Sequence, residues 1–304
     1  MRLSYLHYDV FTSTPLTGNQ LAVFLDARGL GRDQMQALTR EMNFSECTFV
    51  LPAEAADTLA RVRIFTPSTE LPMAGHPTIG TTFALAEIGV VRPGTARLTL
   101  GLTIGPTPVD LEWSASRLAF AWMTQQPPRF WTPEGDRQAV AGAIGLAESD
   151  LDDRLPVQRV SCGVPFLLIP VRDKARVDRA VSLSGALAAI TARGDGEHAV
   201  FLFACEPDGS PDTVYSRMFA AGLGVTEDPA TGSASGPLGC YLVEHGIVPP
   251  GHPARIVSRQ GVKMQRPSRI VIAVDGEPGA IVGVKVGGDA VLVGRGEIEL
   301  PDPS

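Results

Sequence analysis

"ELPMAGHPTIGTTFALAEIG", residues 70–89, and "EDPATGSASGPLGCYLVEHG", residues 227–246, align without a gap at an offset of 157 positions, the distance from Gly75 to Gly232. Glu70/Glu227, Pro72/Pro229, Gly75/Gly232, Leu85/Leu242, Glu87/Glu244 and Gly89/Gly246 are identical pairs, 6 of 20 positions. Upstream of each copy stands a similar short segment, "RIF" at 63–65 and "RMF" at 217–219, with a three-residue difference in the connecting loop. Chance in a Gly/Pro-rich chain is the alternative, but self-similarity at a fixed offset points to a duplicated structural unit. Each copy reads as a strand, a Gly-containing loop and a helix that ends at Gly89 or Gly246, where glycine supplies a left-handed cap. Helices whose first turns follow "AGHP" and "ATGSA" present backbone N–H groups and a positive dipole end, which suits an anion such as a carboxylate. If the halves face each other, one carboxylate-bearing substrate fits between them.

Outward from these loops, "LSYLHYDVF", "LAVFLDA", "CTFVL", "ARVRIFTP", "ARLTLGL" and "SRLAFAWM" are alternating or β-branched runs bounded by Gly, Pro, Ser and Asp, the pattern of strands and turns. "RDQMQALTREMN" has helical spacing. The second half repeats the mixture: "RVSCGVPFLLIPV", "HAVFLFAC" and "TVYSRMFAA" read as strands, "RAVSLSGALAAITAR" (179–193) as a helix, and residues 268–300 as a run of strands. "QQPPRFWTPEGD", from residue 125, is the best linker candidate, and 304 residues favour two domains.

Composition narrows the function. A formal charge of −7, a pI near 5.3 and no clustered Lys/Arg disfavour nucleic acid as a partner. "MRLSYLHYDVF" lacks a signal-peptide core, and no apolar run approaches the length of about 18 residues that a membrane span needs, so a cytoplasmic protein without a membrane partner is expected. Cys47, Cys162, Cys205 and Cys240 are scattered with no CxxC pair, and read as buried free thiols. The sequon "NFS" at 43–45 is a chance match in such a protein. There is no GxGxxG after a strand, GxxxxGK[ST], HExxH or GxSxG, and "GLGVTE" (222–227) and "GRGEIEL" are Gly-containing turns without dinucleotide spacing. No cofactor and no metal are implied.

Three residues are candidates for chemistry. His76, in "AGHPT", is either a turn residue ahead of a helical Pro or a group that transfers a proton or donates a hydrogen bond. Asp228 fits an N-cap followed by Pro at the first helical position. Glu46, in "NFSECTFV", could belong to a capping box with Asn43, but "CTFVL" is β-branched and apolar, so the Glu stands where a strand begins. Strand alternation then sends Cys47 to the opposite face.

Taken together, "TGNQLAVF", "NFSECTFV", "AGHPTIGT", "EDPATGSASG" and "RQGVKMQRPSRI" resemble the phenazine-biosynthesis PhzF-like family, within the diaminopimelate-epimerase-like fold. The motifs occur in order from residue 18 to residue 270. The resemblance implies an α+β fold of two similar domains, each a β-barrel-like mixed sheet around a central helix, with the active site in the cleft between them. The boundaries expected are 1–118 and 119–288, with a last strand at about 289–304 returning to the first domain. It further implies a homodimer without metal or cofactor. In the phenazine enzyme a Glu of the "SE" motif moves a proton between carbons of trans-2,3-dihydro-3-hydroxyanthranilate. Carried over, Glu46, His76 and Asp228 form the catalytic set, and Asn19, Ser45, Gly75, Gly232 and Ser233 line the substrate site. The family's frequent "GNP" reads "GNQ" here, so Asn19 is kept beside Gln20. Racemases and epimerases of the same fold use two cysteines just ahead of the repeat glycines. Ala74 and Thr231 stand there instead, which disfavours a two-cysteine inversion.

The expected reaction is cofactor-independent proton transfer on a small carboxylate-bearing substrate, with Glu46 as base and His76 and loop N–H groups meeting the developing negative charge. A raised Glu pKa would favour it. A lyase or dehydratase using the same base, and a binding protein without turnover, are the rival readings.

Overall fold

The alternating runs do form strands. The computed structural model describes residues 2–191, 199–207, 210, 213–220, 225–249 and 251–300, for 251 and 252 the backbone alone. The chain divides into two units, one running to Thr124 and resuming at Gly287, the other spanning Gln125–Val286. The division falls after Thr124, because a boundary at 118 would cut the strand Arg117–Thr124.

In the first unit β1 (Arg2–Val10) pairs antiparallel with β2 (Asn19–Phe24). After α1 (Arg32–Met42), β3 (Glu46–Leu51) joins β2 in parallel, with Leu21 opposite Glu46. β4 (Ala60–Phe65) is antiparallel to β3, and the short β5 (Glu70–Leu71) antiparallel to β4. Beyond α2 (Gly75–Glu87), β6 (Arg97–Leu102) runs parallel to β4, and β7 (Gly105–Ser114) and β8 (Arg117–Thr124) follow as antiparallel neighbours.

The second unit opens with β9 (Arg129–Phe130), α3 (Arg137–Ala143), β10 (Gln158–Ser161), β11 (Pro165–Pro170), α4 (Lys174–Arg179) and α5 (Ser184–Thr191). β12 (Ala199–Cys205), β13 (Val214–Ala220), β14 (Val225–Asp228), α6 (Gly232–Glu244), β15 (Gly251–Gln260), β16 (Ser268–Glu277) and β17 (Ala280–Gly288) complete it. The order of pairing repeats that of the first unit: β11 and β12 parallel, β12 with β13 and β13 with β14 antiparallel, β13 and β15 parallel, β15 and β16 antiparallel. The last strand, β18 (Ala290–Glu299), returns to the first unit and pairs antiparallel with β1.

The repeated letters have repeated physical jobs. Arg63 and Arg217 each form a two-pronged ion pair with the repeated Glu, at 2.7 Å to both oxygens of Glu70 and 2.8 Å to both of Glu227. Each guanidinium also lies over the Phe two residues on, 5.1 Å above Phe65 and 4.8 Å above Phe219. α2 and α6 are both 13 residues long, and both close on a left-handed glycine, Gly89 at φ 76° and Gly246 at φ 68°. Gly89 N–H bonds to Ala86 O and Val90 N–H to Leu85 O; Gly246 N–H bonds to Val243 O and Ile247 N–H to Leu242 O. These paired reverse bonds satisfy the last helical carbonyls.

Both helices are apolar on nearly every side and therefore buried. α2 packs on β1, β2, β3, β8 and β18, and α6 on β10, β11 and β16. Three of their hydroxyls are satisfied four residues back: Thr78 donates to Ala74 O at 2.7 Å, Thr82 to Thr78 O at 2.9 Å and Ser235 to Thr231 O at 2.8 Å.

Two expectations are corrected. The helix expected over 179–193 is interrupted between α4 and α5, because Val181 N–H and Leu183 N–H bond to Ile144 O and Ala143 O at the end of α3; residues 192 and 193 lie outside the described residues. The linker candidate is structured: it contains β9, its Asp136 N-caps α3, and its first residue, Gln125, is 7% exposed. In "GLGVTE", residues 222–224 lie outside the described residues and Val225 onward belongs to β14.

Glycine at position 80 sets how closely α2 lies on the sheet, since a Cβ there would stand 2.5 Å from Leu21 Cδ2 and 2.8 Å from Val10 Cγ2. Gly80→Ala should lower stability by about 1–2 kcal/mol, overpacking outweighing the gain in helix propensity. A urea midpoint equal to that of the wild type would show that α2 can withdraw without cost.

Candidate active site

Glu46 takes its position from the end of α1. Asn43 closes that helix in the left-handed region (φ 53°), its N–H bonded to Thr39 O at 3.1 Å, and three residues later β3 begins. Asn43 is thus a C-cap, and the capping-box reading of Glu46 falls away. Along β3 the side chains alternate. Cys47 and Phe49 join Met35 and Leu38 of α1 in an apolar core, while Thr48 accepts a hydrogen bond from Thr81 of α2 at 2.9 Å. Burial pushes the Cys47 thiol up to about 12, so it is inert at neutral pH.

His76 is the second residue of α2 and Pro77 the third, where a missing N–H costs nothing. The His76 side chain is 3% exposed, and its Nε2 lies 3.3 Å from Oε2 of Glu46, whose side chain is 14% exposed. On the other side of the ring, Nδ1 is 3.0 Å from Nδ2 of Asn19, the first residue of β2. Ser45 Oγ donates to Asn19 Oδ1 at 2.9 Å. Because that carbonyl oxygen is taken, the amide offers its N–H to the ring, so Nδ1 is the acceptor and Nε2 carries the proton. Burial pushes the imidazole down to about 3, with the backbone carbonyl of Gln20 pulling the other way. At neutral pH the ring is therefore uncharged, and its Nε2 makes a 3.3 Å contact with Oε2 of Glu46 that lies outside hydrogen-bonding geometry. Gly75 opens α2 behind Ala74, which supplies no capping side chain. Asn19, Ser45, Glu46, Gly75 and His76 thus come together in the first unit.

In the second unit Asp228 ends β14 and is 3% exposed. The expectation that it N-caps the helix is corrected: the N-cap is Thr231, and α6 starts at Gly232, so Pro229 lies before the helix. The Thr231 hydroxyl donates to Asp228 Oδ2 at 2.6 Å. Gly232 and Ser233 are the first two residues of α6. Ala74 and Thr231 are equivalent N-cap residues, 157 positions apart, and neither carries a thiol.

Two glutamines beside these loops went unread in the sequence. Gln125 donates to Gly232 O at 2.9 Å from the space left by Gly236, where a Cβ would stand 1.9 Å from Gln125 Oε1. Gln260, fully buried, bonds to both Asp228 and Thr231. Its position in "RQG" was the available signal. Among the described residues no three His, Cys, Asp or Glu side chains gather as a metal site.

A hydroxyproline epimerase from Agrobacterium vitis superposes with a TM-score of 0.70 over 99% of this chain and 94% of that one, at 17% identity. Residues 8–296 match the phenazine biosynthesis-like protein family, PhzC-PhzF, and the chain belongs to that family. The Bacillus anthracis phenazine biosynthesis protein of the PhzF family is similar at a TM-score of 0.88 and 29% identity, over 99% of this chain and 100% of that chain. Trans-2,3-dihydro-3-hydroxyanthranilate isomerase of Pseudomonas fluorescens is 37% identical over 298 residues, 98% of this chain and 99% of that protein.

The buried ring makes stability depend on pH. His76 titrates at about 3 when folded against 6.5 when exposed, so between these values the unfolded chain binds the extra proton. Stability is therefore fully present above 6.5 and is lost as pH falls toward 3, by up to about 1.4 kcal/mol per pH unit. Urea midpoints should fall from pH 7 to pH 4.5, and His76→Asn should flatten that slope. An identical slope in the variant would contradict the burial of a neutral imidazole.

Proposed function

We propose that this protein is a cofactor-independent isomerase that moves a proton between carbons of a small, carboxylate-bearing substrate, of the kind represented by trans-2,3-dihydro-3-hydroxyanthranilate. The observation that carries the proposal is the Glu46 carboxylate held 3.3 Å from the protonated nitrogen of a neutral, buried His76. Relatives of nearly equal length that bear the isomerase name support the substrate class.

In the proposed reaction Glu46 takes a proton from an activated carbon, and the electron pair of that C–H bond enters the adjacent unsaturated system. The protonated Glu46 then returns the proton to a different carbon, so the composition of the substrate is unchanged. His76, an uncharged donor, follows the carboxylate through both states without delivering its own proton, since loss of the Nε2 proton would leave an anionic ring in a buried site. Asp228 is proposed as a second group of the proton-transfer set. N–H groups at Gly75, Gly232 and Ser233 are proposed for the substrate carboxylate, because helix starts favour anions. Ser45 and Asn19 act first on His76, and substrate contact by them is part of the proposal. A cytoplasmic homodimer with neither nucleic acid nor membrane as partner completes it, resting on the family resemblance and the acidic composition; light scattering tests the dimer.

The test follows trans-2,3-dihydro-3-hydroxyanthranilate by proton NMR in D₂O. Wild type should convert it to an isomer, with deuterium at the new carbon position only in the fraction of turnovers in which protonated Glu46 exchanges with solvent, and Glu46→Gln should lose at least about 100-fold in turnover. Near-normal turnover by Glu46→Gln would overturn the assignment of the base. A product lacking a leaving group would show a lyase, and stabilisation by ligand without conversion a binding protein.

A further inference from the structure

The motif "RQG" at 259–261 has no part in the proton transfer as described. Gln260 ends β15 with its side chain fully buried. The chain turns immediately after it at Gly261, φ 76°, where a Cβ would stand 2.3 Å from Arg266 O and 2.5 Å from Pro229 O. Glycine there allows the turn to lie directly on the peptide that follows Pro229. The Gln260 amide is thereby brought against the Asp228–Thr231 loop and makes three bonds to it. Nε2 donates to Asp228 O at 2.8 Å and to Thr231 Oγ1 at 2.9 Å, and Oε1 accepts from Thr231 N–H at 3.0 Å.

The direction of the chain follows from donor counting. The Thr231 hydroxyl accepts from Gln260, so its single proton is committed to Asp228 Oδ2, at 2.6 Å. A loop that needed only to be stapled would be held by the two backbone bonds, Asp228 O and Thr231 N–H. The third bond is superfluous for that purpose, yet it aims a hydroxyl at the carboxylate. The equivalent N-cap in the first unit, Ala74, has no hydroxyl, so the device belongs to the loop that carries the carboxylate.

We propose that Gln260 is a positioning residue of the reacting site: acting through the Thr231 hydroxyl, it fixes the orientation of the Asp228 carboxylate toward the substrate. The inference rests on the reading of Asp228 as a group of that site. The first measurement is calorimetric binding of 3-hydroxyanthranilate, the aromatic analogue with no proton to move, to the full-length protein. Thr231→Val, which keeps shape and backbone N–H but removes the hydroxyl, should weaken binding about 10- to 100-fold, and Thr231→Ser should recover most of the loss. Gln260→Met should follow Thr231→Val. Binding by Thr231→Val equal to wild type would reduce Gln260 to a loop staple, and equal losses in Thr231→Val and Thr231→Ser would assign the effect to packing. Either result overturns the proposal. Glu46→Gln, measured alongside, should bind the analogue normally while losing turnover, so failure of the proton-transfer reading is told apart from failure of this one.

Discussion

A neutral imidazole has one donor and one acceptor nitrogen, and the hydrogen bond from Asn19 to Nδ1 of His76 decides which is which. Everything proposed for Glu46 depends on that choice: with Nδ1 occupied, the ring faces the carboxylate with an N–H and without a charge. The bond, at 3.0 Å, forms because two elements are packed closely together. Glu46 stands opposite Leu21 in the parallel pair β2–β3, and Leu21 is the side chain for which Gly80 of α2 leaves room. The close approach of α2 to β2 brings the first turn of the helix, with His76, within reach of both the start of β2 and the start of β3. A methyl group at position 80 would act on the site through this spacing, four residues along the helix from His76.

The two units apply one scaffold to different chemistry. The Arg–Glu forks, the Phe beneath each guanidinium and the reverse-bonded glycine ends of α2 and α6 are common to both. At the helix starts they part. Ala74 caps α2 without a polar group, and a neutral ring follows it inside the helix; Thr231 caps α6 and turns its hydroxyl back to a carboxylate that precedes the helix. One loop thus presents a donor beside Glu46 and the other an acceptor held in place by Gln260. The second arrangement satisfies its buried polar groups in pairs, as a low-dielectric interior requires, whereas in the first His76 Nε2 and Glu46 Oε2 stand in close contact without a hydrogen bond between them.

What the sequence made legible is what backbone geometry dictates. Gly89 and Gly246 recur because a left-handed cap tolerates glycine best, Glu70 and Glu227 because an Arg fork needs a carboxylate at a fixed register, and the strands because alternation has a period of two. Glu46 was readable because an acid at the head of an apolar strand violates the local pattern. The cap alternative for Asp228 arose because "DPATG" has the composition of a helix cap; the true cap, Thr231, became visible only with the hydroxyl's partner. Gln125 and Gln260 were hidden because a buried glutamine leaves no periodic trace, its role being set by loops far away in the chain. The break between α4 and α5 was hidden for the same reason, as Val181 and Leu183 give their N–H groups to the end of α3.

The central claim is the protonation state of one ring. Nitrogen-15 NMR of the full-length protein labelled at histidine reports it directly, since the protonated and unprotonated ring nitrogens of His76 resonate far apart. The account predicts, at pH 7, a neutral His76 with its proton on Nε2 and an unprotonated Nδ1, and a change in that tautomer balance in Asn19→Leu. A proton on Nδ1, or an imidazolium ring at pH 7, would contradict it.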